Sequence, residues 1–187
     1  MPATALDPQT ALVLVDLQKG ITALPTRHPA DEIVARAAEL AASFRARGLP
    51  VVLVRVVGAA PGRTEAGHRS GERPADFADL RPELGRADDD IVVSKRTWGA
   101  FHDTGLDDRL RRLGVTQLVL AGIATGMGVE STARAAHEHG YHVTVVTDAV
   151  TDVDPERHRN AVERVFPLLG ETDTAEAVLR LLGSQGS

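Results

Sequence analysis

The chain has 187 residues and no cysteine, so disulfides, thiolate metal sites and a cysteine nucleophile are all excluded. Its formal net charge of -5 offers no basic field for a phosphate backbone, which argues against a nucleic-acid partner and for a small-molecule one. Residues 1–10 lack a basic stretch followed by an apolar one, and no apolar run approaches the ~20 residues of a bilayer span, so a cytoplasmic protein without membrane contact is expected. The length suits one domain over 1–187, able to bury roughly 70% of its unfolded surface without staples.

Ala11 to Val15 is an unbroken apolar run ending in Asp16 and predicts a strand buried on both faces. From Asp31, the residues Ile33, Ala37, Leu40, Ala41 and Phe44 recur at helical spacing and Gly48 closes the helix. Val51 to Val57 repeats the strand pattern, and Ile91 to Ser94 is a shorter version leading into Lys95. Between them, Gly58 to Asp90 has no sustained period and is expected to be a long connection, the kind that carries function or covers a site. Thr104 to Asp107 has the form of a capping box before a helix lined by Leu106, Leu110 and Leu113. Leu118 to Leu120 predicts a strand, Val129 to His139 a helix, and His142 to Thr147 a strand that reaches Asp148. Asp154-Pro155-Glu156 is an N-cap, a first-turn proline and an acidic first turn. Val165 to Leu169 is expected as a last strand, and Asp173 with Glu176 as the opening of a last helix to Leu182. Strands alternating with helices imply an α/β three-layer sandwich: a mostly parallel sheet of about six strands with helices on both faces. Ligands bind such sheets beyond the carboxyl ends of the strands, where Asp16, Lys95 and the turn after Leu120 all fall.

Leu118 to Arg134 runs from apolar strand through a glycine-containing turn into a helix. That arrangement aims backbone N–H groups and a helix N-terminus at a reacting oxygen, as a nucleophile elbow does; a plain packing turn is the alternative. Glycines at 122, 126 and 128 let the backbone approach a ligand. Asp16, at the end of an apolar strand, needs a partner if buried, either in a structural ion pair or in a catalytic one. Lys95 is one of only two lysines in an arginine-rich chain, and lysine can change protonation state where arginine effectively cannot.

Taken with Val-Asp16-Leu-Gln18, Lys95-Arg-Thr-Trp98-Gly-Ala-Phe101 and Gly-Ile-Ala-Thr followed by Val-Glu-Ser-Thr-Ala-Arg, the chain resembles the isochorismatase-like hydrolase superfamily over residues 10–182. In the cysteine branch of that family the triad is Asp, Lys and Cys, with a cis peptide before an alanine whose N–H helps form the oxyanion hole. The resemblance assigns Asp16 and Lys95 to the triad, Ile123–Ala124 to the cis bond, Thr125 to the turn, and Gly128 to the place of the missing nucleophile, where its N–H joins that of Ala124 as an oxyanion donor. Trp98 and Phe101 are expected to wall the pocket, and Gln18 to hold either Asp16 or a substrate carbonyl. The Asp-x-His metal motif of nicotinamidases is replaced by Val56-Val57-Gly58-Ala59 with only His68 nearby, so no metal and no cofactor are expected. Ser131 and Thr132 have no His at motif spacing to activate them and read as structural, as do His137, His139 and His142 near a helix end.

True isochorismatases likewise keep the Asp and place Gly at the Cys position. The resemblance therefore implies vinyl-ether hydrolysis with Asp16 as general acid and no enzyme nucleophile. A neighbouring Lys⁺ lowers an Asp pKa, so this scheme requires burial to outweigh Lys95. Ile-Ala-Thr-Gly-Met departs from the Val-Tyr-Ala-His-Ile run of those enzymes, which leaves the substrate open. Two alternatives stand beside it: water-mediated hydrolysis of a small amide or ester by Asp16 and Lys95, and an inactive binding or scaffold relative. Family members form homodimers or larger homo-oligomers, and the same is expected here.

Overall fold

The computed structural model describes residues 2–65 and 73–184; His68 lies outside them. Its elements are β1 (Thr10–Val15), the single turn α1 (Lys19–Thr22), α2 (Ala30–Arg45), β2 (Val51–Val56), β3 (Ile91–Lys95), α3 (Leu106–Arg112), β4 (Gln117–Ile123), α4 (Glu130–Glu138), β5 (His142–Thr151), α5 (Pro155–Asn160), α6 (Phe166–Leu169), β6 (Glu171–Asp173) and α7 (Ala175–Ser184). The strands form one sheet in the order β3-β2-β1-β4-β5-β6, and all five pairings are parallel.

Each face of β1 packs into its own core, which is why its sequence is an unbroken apolar run. Leu12 and Leu14 point to the layer of α2 and α7, meeting Ile33, Leu40, Phe44, Val178 and Leu182. Ala11, Val13 and Val15 point to the opposite layer, where Leu106, Leu110, Ala133, Ala136 and Phe166 cover them. Each fully buried Leu or Phe in these layers contributes roughly 1.5–3 kcal/mol through its removal from water. The two layers pin β1 at the centre of the sheet and fix where its carboxyl end emerges.

Three local expectations change. Residues 165–169 are helical rather than extended, with His158, Ala161 and Phe166 buried at spacings of three and five along one continuous rod. A five-residue apolar run does not distinguish a strand from a helix face, and the true last strand, Glu171–Asp173, is a polar edge strand with no apolar signal. The 104–107 capping box is not formed: left-handed Gly105 precedes the helix, and the Thr104 hydroxyl accepts from Leu106 N–H (3.3 Å) while donating to the Ala100 carbonyl (2.6 Å). Asp107 instead accepts from Arg111 Nε (2.9 Å) and from the Tyr141 hydroxyl (2.7 Å). At the last helix it is the Thr174 hydroxyl, not Asp173, that accepts from Ala177 N–H (3.3 Å). The Asp154 cap forms as read, accepting from Glu156 N–H (2.8 Å) and Arg157 N–H (3.3 Å).

Candidate active site

β1 connects to the sheet on one side through β2 and meets β4 on the other, so the winding direction reverses between β1 and β4. Such a reversal leaves a crevice beyond the carboxyl ends of the two strands. Asp16 sits at its rim on β1, and the Ile123–Ala124 peptide, which is cis, closes β4 beside it. Asp16 has φ +53, a left-handed conformation uncommon outside glycine, which turns its side chain away from the alternation of the strand below.

Lys95 ends β3, two strands away, and reaches across β2 to the carboxylate. Its Nζ donates to Asp16 Oδ2 (2.7 Å) and to the Thr97 carbonyl (3.2 Å). The two residues are 6% and 2% exposed, so this is a dry ion pair. Asp16 Oδ1 is buried and has no hydrogen-bond partner. Burial raises the Asp16 carboxyl from its usual 3.8 to about 6, against the opposing pull of the Lys95 ammonium and its hydrogen bond. The carboxyl thus has one oxygen held by a cation and one open to take or give a proton.

After Ala124 the chain forms a wide turn, Thr125–Val129, whose Met127 and Val129 N–H groups both donate to the Ala124 carbonyl (3.1 and 3.2 Å). A Cβ at Gly128 would stand 3.2 Å from Asp16 Oδ2 and 3.1 Å from Val15 Cγ1, so Gly128 faces the carboxylate. The other two glycines serve packing. At Gly122 (φ +127) a Cβ would overlap the Val15 carbonyl, so glycine lets β4 close onto β1, and at Gly126 it would lie 3.1 Å from Arg157 Cβ.

The structure separates the expected pocket residues. Gln18 is fully buried and its amide is engaged: Nε2 donates to the Val56 and Phe77 carbonyls (both 3.0 Å), and Oε1 accepts from Val56 N–H (2.7 Å). It therefore fastens the loop carrying Phe77 to β2, and it holds neither Asp16 nor a substrate carbonyl. Trp98 is not a core residue, standing 60% exposed, with its carbonyl 3.5 Å from the Cβ position at Gly128. From there the chain runs along α4. Ala100 N–H donates to Thr132 Oγ1 (3.1 Å), and the Phe101 ring packs on His139 (5.0 Å) and Tyr141 (6.1 Å) at the far end of that helix. Phe101 is thereby carried away from Asp16, because the segment after β3 descends alongside α4 instead of rising over the crevice. Thr132 is bound on both sides, its hydroxyl also donating to the Gly128 carbonyl (2.7 Å), so it braces the turn and is no free nucleophile.

Two residues that the sequence reading passed over also reach the turn. Asp152, fully buried at the end of β5, accepts from Gly126 N–H (2.9 Å), and His158 Nδ1 lies 2.9 Å from the Thr125 hydroxyl. Their signal was faint: a carboxylate closing an apolar strand and a histidine one helical turn past the Asp154 cap. An open cavity of about 480 Å³ lies elsewhere, among Thr4, Gln117, Tyr141 and Glu171 at the amino ends of the strands, away from this chemistry. No group of three or more His, Asp or Glu side chains among the described residues could hold a metal ion, and no described helix is long and apolar enough to cross a membrane.

The six-stranded parallel sheet with helices on both faces is the α/β fold of isochorismatase-like hydrolases. The chain superimposes with a TM-score of 0.91 on an isochorismatase family protein from Burkholderia thailandensis, at 42% identity over 96% of this chain and 98% of the other. It is 43% identical to the isochorismatase family protein YecD of Escherichia coli O157:H7, covering 92% of this chain and 96% of that one. It is 32% identical to the ureidoacrylate amidohydrolase RutB of Methylobacterium radiotolerans, covering 96% and 82%. The isochorismatase domain model matches residues 10–177, and the chain belongs to the isochorismatase family as one of its hydrolases.

Proposed function

We propose that the protein hydrolyses a small vinyl ether of the isochorismate type, with Asp16 as general acid and no covalent intermediate. The observation that carries this reading is the Asp16 carboxyl, raised to about 6 by burial, with Oδ1 unpartnered while Lys95 occupies Oδ2. Oδ1–H gives its proton to the methylene carbon of the enolpyruvyl group. Water adds to the resulting oxocarbenium carbon, and the hemiketal collapses to a keto acid and an alcohol while a proton returns to Asp16. The Ala124 and Gly128 N–H groups then face the oxygen that gains charge during collapse, and Lys95 holds the carboxylate in place after it has given up its proton.

The resemblance to RutB favours a second reading, in which Asp16 is a base that activates water on a small amide. The two readings differ in sign. An acid must be protonated, so kcat/KM falls as pH rises through about 6; a base must be ionised, so it falls as pH drops through about 6. A pH profile on isochorismate and on a panel of small amides decides between them. Asp16→Asn is expected to lower kcat/KM at least about a hundredfold while leaving the circular dichroism spectrum unchanged. Turnover that survives in Asp16→Asn would remove both readings.

A further inference from the structure

The turn between Ala124 and Gly128 is held from outside by a cluster that takes no part in the chemistry above. Thr125 is fully buried, and its hydroxyl lies 2.9 Å from Nδ1 of His158 on α5. The next residue, Gly126, donates its N–H to Asp152 Oδ2 (2.9 Å). Asp152 is itself immobilised, with Oδ1 accepting from Asp154 N–H and from Arg157 Nη2 (both 3.0 Å). Behind His158 stands a second ring, His28, edge-on at 5.3 Å. The loop bearing that ring is tied to the same place: His28 N–H donates to Thr151 Oγ1 (3.0 Å) and Arg27 N–H to the Asp152 carbonyl (2.8 Å). Burial, with His28 and Arg27 close by, holds the His158 ring below the usual histidine range against the opposing pull of Asp152, so the ring is neutral at neutral pH.

We infer that His158 is a positioning residue that, through the Thr125 hydroxyl, sets where the Ala124–Gly128 turn stands relative to Asp16. This rests on the reading that the N–H groups of the turn face the reacting substrate. β4 fixes the turn on its entry side and α4 on its exit side, where Thr132 binds the Gly128 carbonyl. Thr125 and Gly126 lie between those anchors; beyond the bonding of the turn into α4, in which Glu130 N–H reaches the Thr125 carbonyl, the contacts described for them run to the β5–α5 corner. Loss of the Thr125–His158 bond leaves only the Gly126–Asp152 bond there. Small displacements of donors facing a reacting atom lower the rate with little effect on ground-state binding.

Thr125→Val and Thr125→Ser, with His158→Phe and His158→Asn, test the inference, the asparagine amide reaching where Nδ1 sits. Three quantities are measured: kcat and KM, thermal stability, and amide hydrogen exchange at Gly126 and Gly128 with Leu14 in β1 as the control. Thr125→Val and His158→Phe are expected to lower kcat about tenfold or more at nearly constant KM and to speed exchange in the turn but not at Leu14. Thr125→Ser and His158→Asn are expected to recover both. If the first pair does not fold, exchange and kcat near those of the parent in the second pair, set against His158→Gln, whose amide reaches past Nδ1, carry the comparison. Lower thermal stability with kcat and turn exchange unchanged overturns the inference. A parent that turns over no substrate sinks the functional reading, and the exchange at Gly126 and Gly128 then decides the clamp by itself.

Discussion

β3 has an ion pair at each end, part-buried before the strand and buried at its end, and the two are built differently. Just before the strand, Asp90 is gripped by Arg45 of α2, whose Nε reaches Oδ1 (3.0 Å) and whose Nη2 reaches Oδ2 (2.7 Å), while Ala87 N–H adds a third bond to Oδ2 (2.9 Å). At the end of the strand, Lys95 makes one bond to Asp16 and leaves Oδ1 bare. Arginine's planar fork satisfies both oxygens of a carboxylate and cannot give up its charge, whereas lysine is a point charge that leaves half the carboxylate free. The first pair leaves no carboxylate oxygen free; the second keeps one open, as the proposed acid at Asp16 requires. Burial with incomplete hydrogen bonding, rather than burial alone, separates them.

Three changes would break or sharpen this contrast. Arg45→Ala is the largest: it strands Asp90, whose side chain is 2% exposed, without its cation and is expected to cost about 3–5 kcal/mol in chemical denaturation. Catalytic constants of the folded fraction should stay at the parent value; a fall in kcat would mean that the two ends of β3 are coupled. Gly128→Ala places a methyl 3.2 Å from Asp16 Oδ2 and 3.1 Å from Val15 Cγ1, an overpacking expected to cost about 1–3 kcal/mol and to lower activity. Unchanged activity would show that Gly128 does not face the reacting group. Lys95→Met acts on the titration itself. Removing the one group that lowers the Asp16 pKa moves it further up, so the limb of the pH–rate profile near 6 shifts to higher pH. A shift downward would contradict the assignment of that limb to Asp16.

The same pKa has a consequence for stability. Because folding raises the Asp16 pKa, the contribution of its protonated form is fully present below 3.8 and is lost as pH rises through about 6. The stability of the parent relative to Asp16→Asn, followed by denaturant titration, therefore declines across that window.

Much of the fold was legible because its signals are local. Unbroken apolar runs at 11–15 and 51–54 mark strand segments buried on both faces, and the spacing of Ile33, Ala37, Leu40 and Phe44 marks the helix that covers one side of them. Residues 165–169 were misread because a short run with valine and phenylalanine satisfies both periods, and only the neighbours of Phe166 decide which face it needs. In the site, Asp16, Lys95 and Gly128 were legible as a pattern. The fate of Gln18 and Phe101 was not. Whether an amide turns toward substrate or toward a neighbouring backbone, and whether a segment rises over a crevice or descends along a helix, depends on where Val56, Phe77 and α4 stand in space.

The sequence by itself therefore determined the alternation of strands and helices from β1 to α5, the absence of any thiol, and the family to which the residues belong, since composition and periodicity are properties of the chain alone. The tertiary structure decided the surroundings of Asp16. A carboxyl of ordinary pKa becomes one near 6 because the removal of water by two packed layers outweighs the opposing pull of a lysine two strands away, and one of its oxygens is left without a donor. Desolvation and hydrogen-bond count are sums over neighbours in space, and no stretch of sequence around Asp16 contains them.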